Sequence, residues 1–147
     1  MIRLEDVNEG NWRFPLVVSN EQKEYVADST TILARAYAYR NERSRAYIIF
    51  NDDIPVGMGL YHDCPELDSY VFSEIFIDAR YQGHGYGKEA TKLFIDEMKA
   101  DGKYNKVILC YIEGNNAAKN LYEMFGFVET DRDEDEIIME LTFSNLA

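Results

Sequence analysis

The chain has 147 residues, 46% of them hydrophobic and 14% aromatic, which is enough for a proper core and excludes a disordered chain. Its 15 Lys and Arg against 27 Asp and Glu leave a net charge of −12. That charge argues against a nucleic-acid partner and suits a cationic small molecule, although many proteins are acidic for solubility alone. No apolar run approaches the roughly 20 residues of a membrane span, and the N-terminus MIRLEDVNEG carries no apolar leader. Cys64 and Cys110 form no CxxC pair and read as free thiols of a reducing cytoplasm.

Residues 2–7 (IRLEDV) alternate apolar and polar, as a short half-buried strand does. Asn11 then caps an expected helix through WRFPLVVS, with Pro15 tolerated in its first turn. The next segment, NEQKEYVADSTTILARAYAYR, reads as one or two helices broken near Asp28–Ser29, with Leu33, Tyr37 and Arg40 on one face. From Ser44 the character changes. RAYIIFN and PVGMGLYHD are strands around a hairpin turn at Asp52–Asp53, and SYVFSEIFID is a third, rich in aromatic and β-branched residues.

A helix follows the glycines at 83–87, with Ala90, Leu93, Phe94 and Met98 at helical spacing and Gly102 as its stop. KVILCYI suits a buried strand, NNAAKNLYEMFGF a helix ending at Gly126, and FVETDR with DEIIMELTF a strand pair around an acidic turn. No repeat, low-complexity stretch or linker interrupts the pattern. The expectation is one α+β domain over residues 1–147 with a mainly antiparallel sheet.

Residues 81–90 (YQGHGYGKEA) place glycine at every second position between a strand and a helix. Without side chains the backbone can turn tightly and approach a ligand closely. Freed N–H groups and the positive end of the helix dipole then point at one spot, an anion site. Two familiar phosphate cradles fail on spacing. GxGxxG begun at Gly83 meets Lys88, and begun at Gly85 it meets Ala90. GxxxxGK[ST] would need glycine at Gln82 and a hydroxyl at Glu89. What is present is QxxGxG: Gln82, Gly85 and Gly87, with an extra Gly83. Alone, such a triplet is equally a tight turn with no ligand.

Further on, Asn115, Ala118, Leu121, Tyr122, Gly126 and Phe127 fit NxxAxxLYxxxGF. With QxxGxG after a β-run, in the right order and spacing, residues 44–143 resemble the GNAT family of N-acetyltransferases. The resemblance implies a central, mostly antiparallel sheet of about six to seven strands flanked by about four helices. In it, two neighbouring parallel strands splay apart to admit the pantetheine arm of acetyl-CoA. The resemblance makes Ile75 and Ile77, with Phe76 between them, backbone partners of that arm. It wraps Gln82, Gly83, His84, Gly85, Tyr86, Gly87 and Lys88 around the pyrophosphate, where side chains on the glycines would obstruct the approach. Asn115 and Lys119 then meet the cofactor's far side. His84 takes a variable position of the turn, with at most an incidental phosphate contact. His62 with Asp63 and Cys64 is a lone triplet of metal-ligand type, and no metal is expected.

Amide formation needs a neutral amine, a polarised thioester and a proton for the departing thiolate. An alkylamine of pKa ~10.4 is neutral in only ~1 molecule in 10³ at pH 7, so its proton must be taken. Glu74, in the strand facing the cleft, is the candidate base. If strand alternation turns it away, Ser73 and Ile75 face the cleft, ordered water carries the proton, and Glu74 is a surface carboxylate. The resemblance gives Tyr122 the role of proton donor to the thiolate, against a plain core aromatic on the Leu121–Phe125 face.

The N-terminal half is similar to bacterial polyamine (spermine/spermidine) acetyltransferases through Asn11, Trp12, Leu16, Val18, Gln22, Tyr25, Val26, Ala27, Leu33, Ala34 and Ala36. Several of these positions serve equally to pack helices on the sheet. Glu21, Glu24, Glu66, Asp68 and Glu74 suit a polycation. The resemblance thus implies acetyl transfer from acetyl-CoA to a primary amine, a polyamine or diamine first. An aminoglycoside, an amino acid or a protein N-terminus is the alternative acceptor, and a non-catalytic acyl-CoA-binding sensor is the alternative from another class. Family habit implies a homodimer, while the cysteine usage, hydropathy and charge read above point to a cytoplasmic setting with neither membrane nor nucleic acid as partner.

Overall fold

The computed structural model describes residues 1–143. Its strands are β1 (Ile2–Asp6), β2 (Arg45–Asn51), β3 (Ile54–Cys64), β4 (Ser69–Ile77), β5 (Lys106–Ile112), β6 (Val128–Asp133) and β7 (Glu136–Thr142). Its α-helices are α1 (Ser29–Ala38), α2 (Tyr86–Asp101) and α3 (Asn116–Met124). The strands form one sheet in the order β1-β2-β3-β4-β5-β7-β6. Every neighbouring pair is antiparallel except β4 and β5.

Both faces of the central strands are covered, and their alternation sorts the core into two layers. Ile48, Phe50, Met58, Leu60 and Phe76 meet Ile32 of α1 on one face. On the other, Tyr47, Tyr61, Tyr70 and Phe72 meet Ala90, Phe94 and Met98 of α2. The Asp28 carboxylate caps α1 by accepting from the Thr31 N–H at 2.8 Å. Gly102, in the left-handed region at φ 71°, closes α2.

One expectation is corrected. Asn11 caps no helix. Its side-chain Oδ1 accepts from the Asn8 N–H at 2.8 Å, and its side-chain NH2 donates to the Glu5 carboxylate and to the Asp6 carbonyl, both at 2.9 Å. Residues 11–27 run instead as turns and extended chain, with Leu16 and Val18 buried and Val17 exposed. Apolar burial at every second residue is a period that no helix can serve. This strap is held by the Val17 N–H on the Asp78 carboxylate and the Ala79 N–H on the Val17 carbonyl, both at 2.8 Å. The described residues therefore hold three α-helices rather than about four, plus short 3₁₀ turns at Arg40–Glu42, Pro65–Leu67 and Ala79–Tyr81.

On α1 the buried position is Ile32. Tyr37 is exposed, with the Arg40 guanidinium 4.2 Å above its ring. Among the described residues no helix is long and apolar enough to cross a membrane.

One irregularity positions everything that follows. In the β3–β4 ladder Leu60 opposes Glu74 while Tyr61 opposes Phe72, so Ser73 is an extra residue, a β-bulge. β4 and β5 pair only at Tyr70–Val107 and Val71–Ile108. Beyond the bulge the two strands separate and leave a cleft between them.

Candidate active site

The cleft widens into a cavity of about 950 Å³ that runs from α1 and β3 at one end to the start of α2 at the other. Its floor is β4 from Val71 to Ile77, and its flanks are β5, α3 and the strap segment around Gln22–Ala27. The Glu74 and Phe76 carbonyls face β3, since they lie where side chains on Gly59 and Gly57 would have to go. Strand alternation then presents the backbone groups of Ile75 and Ile77 to the cleft, where no strand pairs with them. The Phe76 ring packs away from the cleft, in the α1 layer.

At the α2 end, Gly83 and Gly85 hold φ of 83° and 80°, the left-handed region that penalises a side chain. A Cβ on either would meet no atom within 4 Å. The glycines thus serve an open concavity and not a crowded turn. Gly87 differs: its Cβ would touch Ile77 at 3.6 Å, an ordinary contact. The first helical hydrogen bond of α2 runs from the Glu89 N–H to the Gly85 carbonyl, which leaves the N–H groups of Tyr86, Gly87 and Lys88 without an intrahelical partner. Together with the helix dipole they make an anion-binding end. Gln82 braces the turn by donating to the Ile77 carbonyl at 3.2 Å.

At the bulge, Ser73 and Glu74 both line the cavity, and both meet Nη1 of Arg35 from α1. Alternation would have separated them, and the extra residue brings them to one side. Glu74 is ion-paired with Arg35. Burial pushes its carboxyl above the usual range, against the opposing pull of the Arg35 guanidinium and the Ala27 N–H. Tyr122, on α3, sits edge-on to Phe72 and Phe127 with its ring buried at the cavity wall. Burial, and then the Glu74 carboxylate, push its phenol upward, so the hydroxyl keeps its proton. Asn115 caps α3, accepting from the Ala118 N–H at 3.3 Å, and its amide donates to Gln22 of the strap at 3.3 Å.

Of the residues expected from sequence, Glu74, Ile75, Phe76, Ile77, Gln82, Gly83, Gly85, Tyr86, Gly87, Asn115 and Tyr122 line this one cavity. His84, Lys88 and Lys119 stand outside its wall. The His84 ring stacks on Tyr86, and Lys119 faces Glu123 along α3 at 4.0 Å. Among the acidic residues expected for a polycation, Glu24 and Glu74 reach the wall, whereas Glu21, Glu66 and Asp68 do not. Sequence reasoning missed Arg35, Tyr39 and Glu136, and it did not place His62 in the cavity. No local pattern marks them. Among the described residues no His, Cys, Asp and Glu group is arranged to hold a metal ion.

The Acetyltransferase (GNAT) family model matches residues 4–127. Over 118 residues, 76% of each chain, the sequence is 30% identical to the spermine/spermidine N(1)-acetyltransferase of Bacillus subtilis strain 168. The spermidine N-acetyltransferase of Vibrio cholerae, solved with CoA and spermine, matches with TM-score 0.76 and 19% identity over 96% of this chain and 95% of that one. The ribosomal-protein-S18-alanine N-acetyltransferase of Escherichia coli matches with TM-score 0.73 and 21% identity over 100% and 97%. The chain belongs to the GNAT family of acetyltransferases. As such it is an acetyl-CoA-dependent N-acetyltransferase.

Proposed function

We propose that this enzyme acetylates a primary amine of a polyamine or diamine, such as spermine or spermidine. The observation that carries the reading is the charge of the cavity wall. The wall carries three carboxylates, Glu24, Glu74 and Glu136, and one guanidinium, Arg35, which is itself paired with Glu74. Such a wall draws in a polycation and holds ammonium groups away from the reacting nitrogen. The 30% identity to the Bacillus enzyme supports the same substrate class.

The residues present fit acetyl-CoA as the donor. Free N–H groups at the start of α2, and the open space over Gly83 and Gly85, suit its diphosphate. On the cleft side no strand pairs with Ile75 or Ile77, and the Ile77 carbonyl meets only the Gln82 side chain, so this stretch of backbone suits the amides of its pantetheine arm. The thioester supplies an activated acetyl carbon.

Glu74, made more basic by burial and ion-paired with Arg35, takes the proton of the attacking ammonium, directly or through water. The freed nitrogen then forms the C–N bond as the C–S bond breaks. The Tyr122 phenol gives its proton to the leaving sulfur.

The test is release of free CoA thiol from acetyl-CoA with spermine, spermidine, putrescine and a simple monoamine at equal concentration. A kcat/KM concentrated in the polyamines is the expected result. Activity confined to an amino acid or a peptide N-terminus would refute the acceptor and keep the enzyme class. Acetyl-CoA binding without any turnover would leave a sensor.

A further inference from the structure

One group on the cavity wall has no part in the transfer step. His62, on β3, is only 6% exposed yet lines the cavity. Its Nδ1 lies 2.8 Å from the Asp63 carbonyl oxygen. A carbonyl only accepts, so the hydrogen between them belongs to Nδ1, and the lone pair of the neutral form is then on Nε2. Tyr39, at the end of α1, stacks on the imidazole with centroids 4.2 Å apart and planes 11° from parallel. Plane and tautomer are therefore both fixed.

Nε2 has no hydrogen-bond partner among the described residues. There, the one side-chain polar atom that is both sealed from solvent and unpartnered is Arg45 Nη1. Nε2 is thus not sealed, and the open space that His62 lines is the cavity. A buried imidazole usually satisfies both nitrogens, because an unpaired buried polar atom is costly. Here the second partner has to come from whatever fills the cavity.

The ladder places this nitrogen relative to the base. Glu74 opposes Leu60, and His62 lies two residues farther along β3, opposite Val71. Two residues of strand span about 7 Å, the reach of a short diamine from one nitrogen to the next. We propose that His62 is the subsite for a second nitrogen of the acceptor. Nε2 accepts a hydrogen bond from a distal ammonium while the first nitrogen is deprotonated at Glu74. Tyr39 acts as a positioning residue that holds the ring. This inference rests on the amine-acceptor reading above.

The experiment compares KM for spermidine with KM for propylamine in the unaltered enzyme, in His62→Phe and in His62→Gln. Phe keeps an aromatic ring against Tyr39 but removes the acceptor, and Gln restores an acceptor oxygen. Loss of a hydrogen bond to a charged group should raise the spermidine KM about tenfold or more in His62→Phe, with little change for propylamine and recovery in His62→Gln. On the unaltered enzyme, spermidine but not propylamine should shift the ring NMR signals of His62, a readout that needs no variant to fold. An equal KM rise for both amines, or an unmoved spermidine KM and unmoved ring signals, would overturn the subsite. Failure of the unaltered enzyme to acetylate any polyamine would overturn the acceptor reading as well.

Discussion

Replacing Gly85 by alanine tests whether the glycine turn exists for a ligand or only for the chain. Gly85 caps α2 with φ 80° and ψ 9°, and a Cβ there would meet nothing within 4 Å. The folded protein therefore bears backbone strain alone, about 1–2 kcal/mol for an L-residue in the left-handed region. For a chain of this length that lowers Tm by roughly 2–8 °C and leaves a folded protein.

The added methyl stands in the space that the free N–H groups of Tyr86, Gly87 and Lys88 face. If it displaces one charge-assisted hydrogen bond to a diphosphate, acetyl-CoA loses roughly 1.5–3 kcal/mol. That weakens Kd about 10- to 100-fold. Gly102, at the far end of α2, supplies the control. It has φ 71°, and its Cβ would come no closer than 3.9 Å to another atom. Gly102→Ala should show the same thermal loss with unchanged acetyl-CoA affinity. Thermal melts and calorimetric titration on both variants give the two readouts. Equal affinities in Gly85→Ala and Gly102→Ala would refute the anion-site account and reduce the glycines to a turn.

Three further outcomes follow from the site and its surroundings. Tyr122→Phe removes the proposed proton donor but keeps the packing against Phe72 and Phe127, so kcat should fall about 10²-fold, whereas a change of about twofold or less would make the phenol a core aromatic. Arg35→Met leaves burial of Glu74 unopposed by the guanidinium, so its carboxyl titrates still higher. A base works only when ionised, so the acid limb of kcat at saturating amine should move to higher pH, and an unmoved limb would remove Glu74 from the role. Asp101 concerns stability. Hydrogen bonds from the Arg43 guanidinium, at 3.0 Å to each oxygen, outweigh burial and hold its carboxyl well below the usual range. A carboxylate depressed on folding contributes stability above its unfolded pKa of ~3.9 and loses it as pH falls below that value. Urea titration should therefore find Asp101→Asn destabilised at neutral pH, with the loss shrinking progressively as pH falls from about 4 towards about 2, and a loss that does not shrink over that range would refute the linkage.

The sequence by itself determined much of the scaffold. Alternation gave β1, apolar, aromatic and β-branched runs between turn signals gave the other strands, helical spacing with a glycine stop gave α2, and the NxxAxxLYxxxGF stretch located α3, because these signals are local and belong to a single element. QxxGxG placed the glycine turn ahead of α2 for the same reason, since left-handed backbone at two glycines is a property of those residues alone. The strap over residues 11–27 escaped, because its extended path depends on an acid 61 positions away, Asp78, to hold the Val17 N–H. The contents of the cavity escaped as well. One inserted residue at Ser73 breaks the strand's alternation, brings Ser73 and Glu74 together beneath Arg35, and opens β4 from β5. The same registry of β3 on β4 decides that His62 belongs with Glu74, while helix α1 brings Arg35 and Tyr39 over them from another part of the chain. Local pattern fixes which way a residue points along its own element. Which residues meet across elements is settled only when the sheet registers lock and the layers close, and the chemistry of this site lives in those meetings.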